Sequence, residues 1–372
     1  MSTPSKDPQK IGRLTPLKDV LAHIAMHIAP VAVREVDAVQ AGGCVLASDV
    51  VAPEGRPAGA IALRDGFAVR SEEAADGSSY APAPLQTAHA VDVGDALPAE
   101  TDAVAAQDMI VVAGSATQAM IAIAAGDGVL AAHGDAKAGT VLRRAGEKLR
   151  DIDVAVLHAL GVSRVAVRRP RVRVIVARAT DDPVLEAIAA LMGTLATACG
   201  GEIVSDGQGE SAALGSDDTD LVILVGGSGT GLRDVSVHLL AQAGQVAFHG
   251  VGISPGETVA FGAMNKAGVL IVPGRLDAAF AAWVTIGEAI MAHLAGYKGA
   301  PPSSPATLAR KVASTIGLVE VVPVKLEPYG ALPLASGYIP LQAMAQASGY
   351  IVVPADSEGF PAGTSVGVRA MP

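Results

Sequence analysis

Cysteine is almost missing from this chain: Cys44 and Cys199 are the two it has, far apart in sequence. They supply neither a metal-ligand spacing nor a disulfide framework, which excludes zinc ribbons, redox CxxC sites and stapled secreted scaffolds. Aromatics are scarce at 3%, so the cores must be aliphatic, with closely approaching backbones. A basic excess is missing too. The formal net charge is −10, whereas proteins that grip nucleic acid through its phosphates carry a surplus of Lys and Arg. No uninterrupted apolar run reaches the roughly 20 residues of a membrane span, and the polar stretch Met1–Leu14 has no apolar signal core. The expectation is a cytoplasmic protein with neither nucleic acid nor membrane as partner.

What the chain does have is length and apolar mass. Its 372 residues exceed one ordinary core, and half of them are apolar while 17% are charged, so several well-packed domains are expected. Apolar residues fall at helical spacing over Leu17–Ile28 (Val20, Leu21, Ile24, Ala25, Ile28). Val31–Val36 reads as a strand, Asp37–Gly42 as a short helical turn, and Val45–Val51 as extended. From Ala52 to Pro98 Pro and Gly become frequent. Val91–Val93, Ala103–Ala106, Met109–Val112 and Ala119–Ile123 read as short strands of a β-rich insertion. Helix returns over Asp151–Leu160 and stops at Gly161. Strand and helix then alternate: Arg171–Ala177, helix Asp182–Cys199, Glu202–Ser205, Leu221–Val225, helix Val235–Ala243, Val246–Phe248, Thr258–Phe261, Gly268–Val272 and helix Ala278–Leu294. This predicts a doubly wound α/β layer. The five-residue apolar run LVILV at 221–225 suits a central strand covered on both faces. Residues 299–307 read as a linker. Val319–Leu326, Ile351–Val353 and Val366–Ala370, with a short helix near Leu341–Ala347, read as a small β-rich domain.

The chemistry concentrates where the central strand ends. Gly226, Gly227, Ser228, Gly229, Thr230 and Gly231 join it to the next helix. Glycine lets backbone approach a ligand closely. Free N–H groups at a helix start attract phosphate or other oxyanions, and Ser228 and Thr230 would add hydroxyl donors. No Gly-Lys-Ser/Thr follows, so this is not a Walker loop. Its place on the third strand of its layer argues against a dinucleotide fingerprint and an NAD-type oxidoreductase. Pro273-Gly274-Arg275 follows the next buried strand, and Ser254-Pro255-Gly256 lies between. If the strands are neighbours, all three loops open on one edge and Arg275 could face an anion. His133, His238 and His249 are isolated and read as structural.

These motifs, in this order, resemble the molybdopterin molybdenumtransferase family, MoeA and the gephyrin E domain. The family's S-G-G-x-S-x-G-x-x-D turn is similar to Gly226–Gly231 with Asp234, its K-P-G-K-P to Ser254–Gly256, and its P-G-N-P to Pro273–Gly274. The run R-D-G-F-A-V-R from Arg64 to Arg70 resembles M-D-G-Y-A-V-R. His133-Gly134-Asp135 falls at the family's G-E-D, Asp181-Asp182 at its D-E, and Leu341 to Pro354 at its C-terminal segment. The resemblance covers residues 14–372. It implies a multidomain α/β protein with four regions: an elongated helix-and-strand region at 1–51 and 130–169, the β-rich insertion at 52–129, a molybdopterin-binding α/β domain at 170–298, and a C-terminal β-barrel at 308–372.

The resemblance also implies a homodimer, molybdopterin or adenylylated molybdopterin as ligand, Mg²⁺, and insertion of molybdate with release of AMP. Asp65, Asp135, Asp182 and Asp234 would be the catalytic carboxylates, with Asp182 and Asp234 available to the metal. A molybdoenzyme or another protein of the cofactor pathway would be a further partner. The basic ligands depart from the pattern. Ser254 and Glu257 replace the two lysines, Ala131 and Ala132 stand for the arginines before G-E-D, and Ala278 replaces a serine. Each lost charge-assisted contact to a dianion costs roughly 1–3 kcal/mol unless Arg178, Arg233 or Arg275 compensates. The alternative is a relative that binds molybdopterin as carrier, chaperone or regulator without the molybdate step.

Overall fold

The computed structural model describes residues 9–114, 116–177, 182–204 and 218–372. Arg178, named above as a compensating base, Asp181, and Ser205 at the end of an expected strand lie outside the described residues.

Two separated stretches build the first region. Val33–Asp37 pairs antiparallel with Arg164–Arg168, which also pairs with Val45–Leu46. The helix Asp151–Ala159 packs Leu157 into the same small core. The strand Arg164–Arg168 is absent from the expectations because its R-V-A-V-R pattern carries two inward valines between charges. In the structure Val165 and Val167 are buried and the arginines point outward.

The insertion hangs on paired entry and exit strands, Val50–Val51 with Val141–Arg143 and Ile61–Ala62 with Val129–Leu130. It holds two antiparallel three-stranded sheets. In one, Gly66–Val69 lies between Ala88–Val91 and Ala103–Ala105; in the other, Ala116–Ala119 lies between Ala83–Leu85 and Ile110–Ala113. The last strand sits earlier than the expected Ala119–Ile123. A tight hairpin through Gly114 (φ +65°) sets its register.

The α/β layer comprises β1 (Arg171–Val176), α1 (Pro183–Ala198), β2 (Glu202–Ile203), β3 (Leu221–Val225), α2 (Ser236–Ala243), β4 (Gln245–His249), β5 (Ala260–Met264), β6 (Ala267–Val272), α3 (Leu276–Ala282) and α4 (Glu288–Ala295). Its sheet order is β2-β1-β3-β6-β5-β4. The first four strands are parallel and the last two connections antiparallel. The reversal follows from a two-residue turn at Asn265 (φ +53°) that joins β5 to β6 as a hairpin.

β3 is central, and all five of its residues are buried. Leu221, Ile223 and Val225 enter one core with Ile188 and Met192 of α1, while Val222 and Leu224 enter another with Val237 and Leu240 of α2. A strand covered on both faces has no polar side to show, which is why LVILV is uninterrupted. Leu276–Ala295 is long and apolar enough to cross a membrane by length and composition. It is 78% buried inside the fold, with Trp283 and Phe280 in the main core, and serves as a core helix. It runs from α3 to α4 through a π-helical segment, Trp283–Gly287.

Ser304–Thr307, the end of the stretch expected as linker, is a strand pairing with Ser365–Ala370. From there the ladder runs through Gly349–Val353 and Val319–Glu327 to Gly330–Pro333. A bridge from Leu308 to Ala331 joins the two ends. The sheet thereby curls around Val322, Val324, Ile351 and Val353 as a small barrel.

Candidate functional site

β3 and β6 end in register, Val225 beside Val272. The turns at 226–234 and 273–277 therefore leave the same edge side by side. The Gly226 amide donates to the Val272 carbonyl at 2.8 Å. A Cβ on Gly274 would stand 3.7 Å from Gly226 Cα, and Leu185 of α1 packs against both glycines. Glycine is required at two positions: Gly226 has φ +90° and Gly227 φ +71°, a region other residues enter only at a cost. The turn is tied to α2 by Ser236, whose hydroxyl donates to the Gly226 carbonyl at 2.9 Å and whose amide donates to the Gly227 carbonyl at 3.1 Å.

Asp234 folds back over the turn and accepts from the Gly231 amide through Oδ2 at 2.9 Å. Ser228 is buried. Its hydroxyl is 3.0 Å from Thr258 Oγ1, and its carbonyl accepts from His249 Nε2 at 2.8 Å. The imidazole therefore carries its proton on Nε2. Ser228 thus knits two loops together, and Thr230 is the more exposed hydroxyl. His249, read as isolated in sequence, braces the turn.

One expectation is corrected. The N–H groups at the start of α2 are not free. The Gln9 side chain, from the segment preceding the first helix, reaches into the turn. Its Oε1 accepts from the Val237 amide at 2.7 Å and the His238 amide at 3.1 Å; its Nε2 donates to the carbonyls of Gly227 at 3.0 Å and Gly229 at 2.8 Å. The donors left open are those of the turn itself. Among the described residues the amides of Gly227 to Thr230 find no protein acceptor.

Ser254, Pro255 and Gly256 are drawn toward the C-terminal barrel, because Ile253–Ser254 pairs parallel with Val319–Glu320. Ser254 lines a cavity of about 210 Å³ with Ala313, Ser314, Thr315, Leu318, Glu320, Ser336 and Gly337. None of these residues is basic. Glu320 is buried there, accepting from the Ser336 hydroxyl at 2.5 Å and the Gly337 amide at 2.8 Å. Sequence reasoning missed the barrel's contribution, since nothing in the motif spacing brings residue 320 to residue 254.

Arg275 at the neighbouring turn is already engaged. Its Nε donates to Asp277 Oδ1 at 3.1 Å and its guanidinium lies 4.8 Å over the Tyr338 ring. The Asp277 hydrogen bond raises its pKa further. Asp277 in turn is buried and accepts from the Ile339 amide at 3.1 Å. The pair clamps the α/β layer to the barrel. Arg233 is exposed on the lip of the turn.

The carboxylates are spread out. Asp182 caps α1, accepting from the Val184 amide at 2.9 Å. Asp65 Oδ1 accepts from the Val93 amide at 2.8 Å inside the insertion, and Asp135 is exposed beside it, its amide on the Arg56 carbonyl at 3.0 Å. No group of three or more His, Cys, Asp or Glu side chains converges among the described residues. Mg²⁺ commonly takes one or two carboxylates and completes its shell with water and ligand phosphates. Asp234, beside the open amides, suits that pattern.

Three family models tile the chain. Residues 15–161 match the MoeA N-terminal region (domain I and II), 178–293 the "Probable molybdopterin binding domain", and 305–370 the MoeA C-terminal region (domain IV). The chain belongs to the MoeA family, proteins of molybdenum cofactor biosynthesis. A "Putative molybdopterin biosynthesis protein" of Methanocaldococcus jannaschii is 24% identical over 90% of this chain and 92% of its own length. The molybdopterin molybdenumtransferase of Haemophilus influenzae is 24% identical over 76% of this chain and 78% of its own. The crystal structure of the molybdopterin biosynthesis MoeA protein from Pyrococcus horikoshii covers 96% of this chain and all of its own at 24% identity, with a TM-score of 0.73. A molybdenum cofactor biosynthesis protein from Pyrococcus furiosus gives a TM-score of 0.58 at 22% identity over 96% of this chain and all of its own. The glycine turn described above lies within the MoeA family's molybdopterin-binding model.

Proposed function

We propose that this MoeA-family protein seats the phosphate of molybdopterin, or of its adenylylated form, on the amides of Gly227 to Thr230, and that it takes part in molybdate insertion with release of AMP. The observation that carries the reading is the row of amides without a protein acceptor at the carboxyl end of the central strands, where open α/β sheets place their ligands. Asp234 is the carboxylate nearest that row and would hold Mg²⁺ against the ligand's phosphates, with Asp182 as the second candidate. Asp65 lies in the insertion and Asp135 in the stretch that returns from it. Their contribution requires the insertion of a second copy to reach the turn, which makes the working form a homodimer in the cytoplasm.

A second reading, binding without molybdate insertion, is favoured by one observation: the cavity beside Ser254 is lined by no cation and holds the Glu320 carboxylate. The test combines two measurements, a molybdopterin titration and an assay of molybdate-dependent AMP release from adenylylated molybdopterin. Binding with turnover supports insertion, and binding without it selects the carrier role. Gly229→Asp is the site control. A Cβ at Gly229 would stand 2.6 Å from Asp234 Oδ2, so the variant puts a second carboxylate at the seat. Unchanged affinity in that variant rejects the turn as the site.

A further inference from the structure

Gln9 makes two hydrogen bonds to the turn and two to the start of the helix after it and is 3% exposed, although its contacts are 218 to 229 residues away in sequence. Its Oε1 takes two adjacent amides at the start of an eight-residue helix, the geometry in which a phosphate oxygen is bound. Its Nε2 donates to the Gly227 and Gly229 carbonyls. The carboxamide oxygen thereby holds the amides of Val237 and His238, donors that a phosphate oxygen would otherwise use, while the amides of Gly227 to Thr230 stay open. Past Gln9, Lys10, Gly12 and Arg13 are exposed, while Ile11 and Leu14 pack at Gly250 and the Thr15 amide donates to the Gly250 carbonyl at 2.9 Å.

We propose that Gln9 is an intramolecular occupant of the turn, an autoinhibitory strap that a phosphate-bearing ligand displaces to gain the amides of Val237 and His238. The idea rests on the ligand reading given above. Apparent affinity is the intrinsic affinity multiplied by the fraction of molecules with the strap released. Removing the carboxamide raises that fraction to one. With the strap released in about a tenth of the molecules or fewer, the gain is roughly tenfold or more.

The experiment uses the full chain and inorganic pyrophosphate as probe, titrated calorimetrically against wild type, Gln9→Ala and Gln9→Asn. Asn keeps the amide chemistry but is one methylene too short to span the seat. Both variants are expected to bind roughly tenfold tighter or better. Hydrogen exchange at the Val237 and His238 amides provides a readout independent of ligand, and both should lose protection in the variants without pyrophosphate. Trypsin should cut after Arg13 faster in wild type once pyrophosphate is present. Equal or weaker pyrophosphate binding by both variants overturns the strap while leaving the ligand reading in place. Exposed amides with no binding by any form defeats the ligand reading, and the strap with it. Protection unchanged in Gln9→Ala shows that the side chain does not occupy the seat, and also overturns the proposal.

Discussion

Gly227→Ala tests whether the turn's shape is imposed by its contact with Ser236. Two costs are built in. The residue sits at φ +71°, and a side chain held in a sparsely populated backbone region costs about 1–3 kcal/mol. The new methyl would also fall on Ser236 Oγ and stand 3.2 Å from Ser236 Cβ. Ser236 is fully buried, so its hydroxyl has no solvent to turn to. Displacing it breaks the 2.9 Å bond to the Gly226 carbonyl, and an orphaned buried donor costs about 1–3 kcal/mol. The sum for Gly227→Ala is about 2–4 kcal/mol after partial relaxation. The measurement is urea unfolding of wild type, Gly227→Ala, Ser236→Ala and the double variant. Ser236→Ala removes the obstructing oxygen, so Gly227→Ala on that background should cost only the backbone strain, about 1–2 kcal/mol. The coupling between the two sites should therefore be about 1–2 kcal/mol. Additive costs, or a single-variant loss below about 0.5 kcal/mol, would refute the argument, because the turn would then tolerate a Cβ without shifting the helix start.

Two further outcomes follow from packing elsewhere. Glu288, on α4 facing Arg369 at 3.7 Å across the barrel junction, has its pKa raised by burial, with Arg369 and Lys148 opposing. A raised folded pKa gives stability that is complete below the unfolded carboxylate value and lost as pH rises through the folded one. Glu288→Gln should therefore gain on wild type as pH climbs from 4 to 8 in urea unfolding, and a constant or falling difference would contradict the burial argument. At Gly287 a Cβ would lie 2.6 Å from Trp283 Cε3 in the main core. Gly287→Ala should cost about 1–3 kcal/mol and shift the emission of the chain's single tryptophan; unaltered emission and stability would show that the ring moves aside freely.

Local physics made much of this legible in advance. LVILV at 221–225 announced a strand buried on both faces because no residue in it needed water, and the glycines after it announced a turn at its carboxyl end. Whether the Pro273 turn joins the same edge depended on β3 and β6 being neighbours, and their register settles it. What stayed hidden came from contacts across long separations. Gln9 lies in a polar stretch with no periodicity, so nothing local tells that its side chain caps a helix starting at residue 236. The strand Arg164–Arg168 pairs with chain on the far side of the insertion, which makes it a strand through its partner more than through its own pattern. Arg275 read as a cation free to face a ligand because Asp277, two residues on, gives no sign in sequence of being buried against the barrel.

The departure from the MoeA pattern at Ser254 deepens when the cavity is considered as a charge environment. In sequence it is a lysine lost. In the structure the position faces Glu320, a carboxylate buried and already satisfied by Ser336 and Gly337. Restoring the lysine alone should therefore fail to recruit an oxyanion. The ammonium of Ser254→Lys would pair with Glu320, and the cavity would end near neutral. Removing the competing charge as well, in Ser254→Lys with Glu320→Gln, leaves the ammonium uncompensated while Gln keeps an acceptor for Ser336. One charge-assisted contact of about 1.4 kcal/mol corresponds to a tenfold gain in affinity. Titration with molybdate should then show little change for the single variant and roughly tenfold tightening for the double. A full gain from Ser254→Lys alone would show that Glu320 does not govern the cavity's charge, and that the lost lysine by itself accounts for the altered pocket.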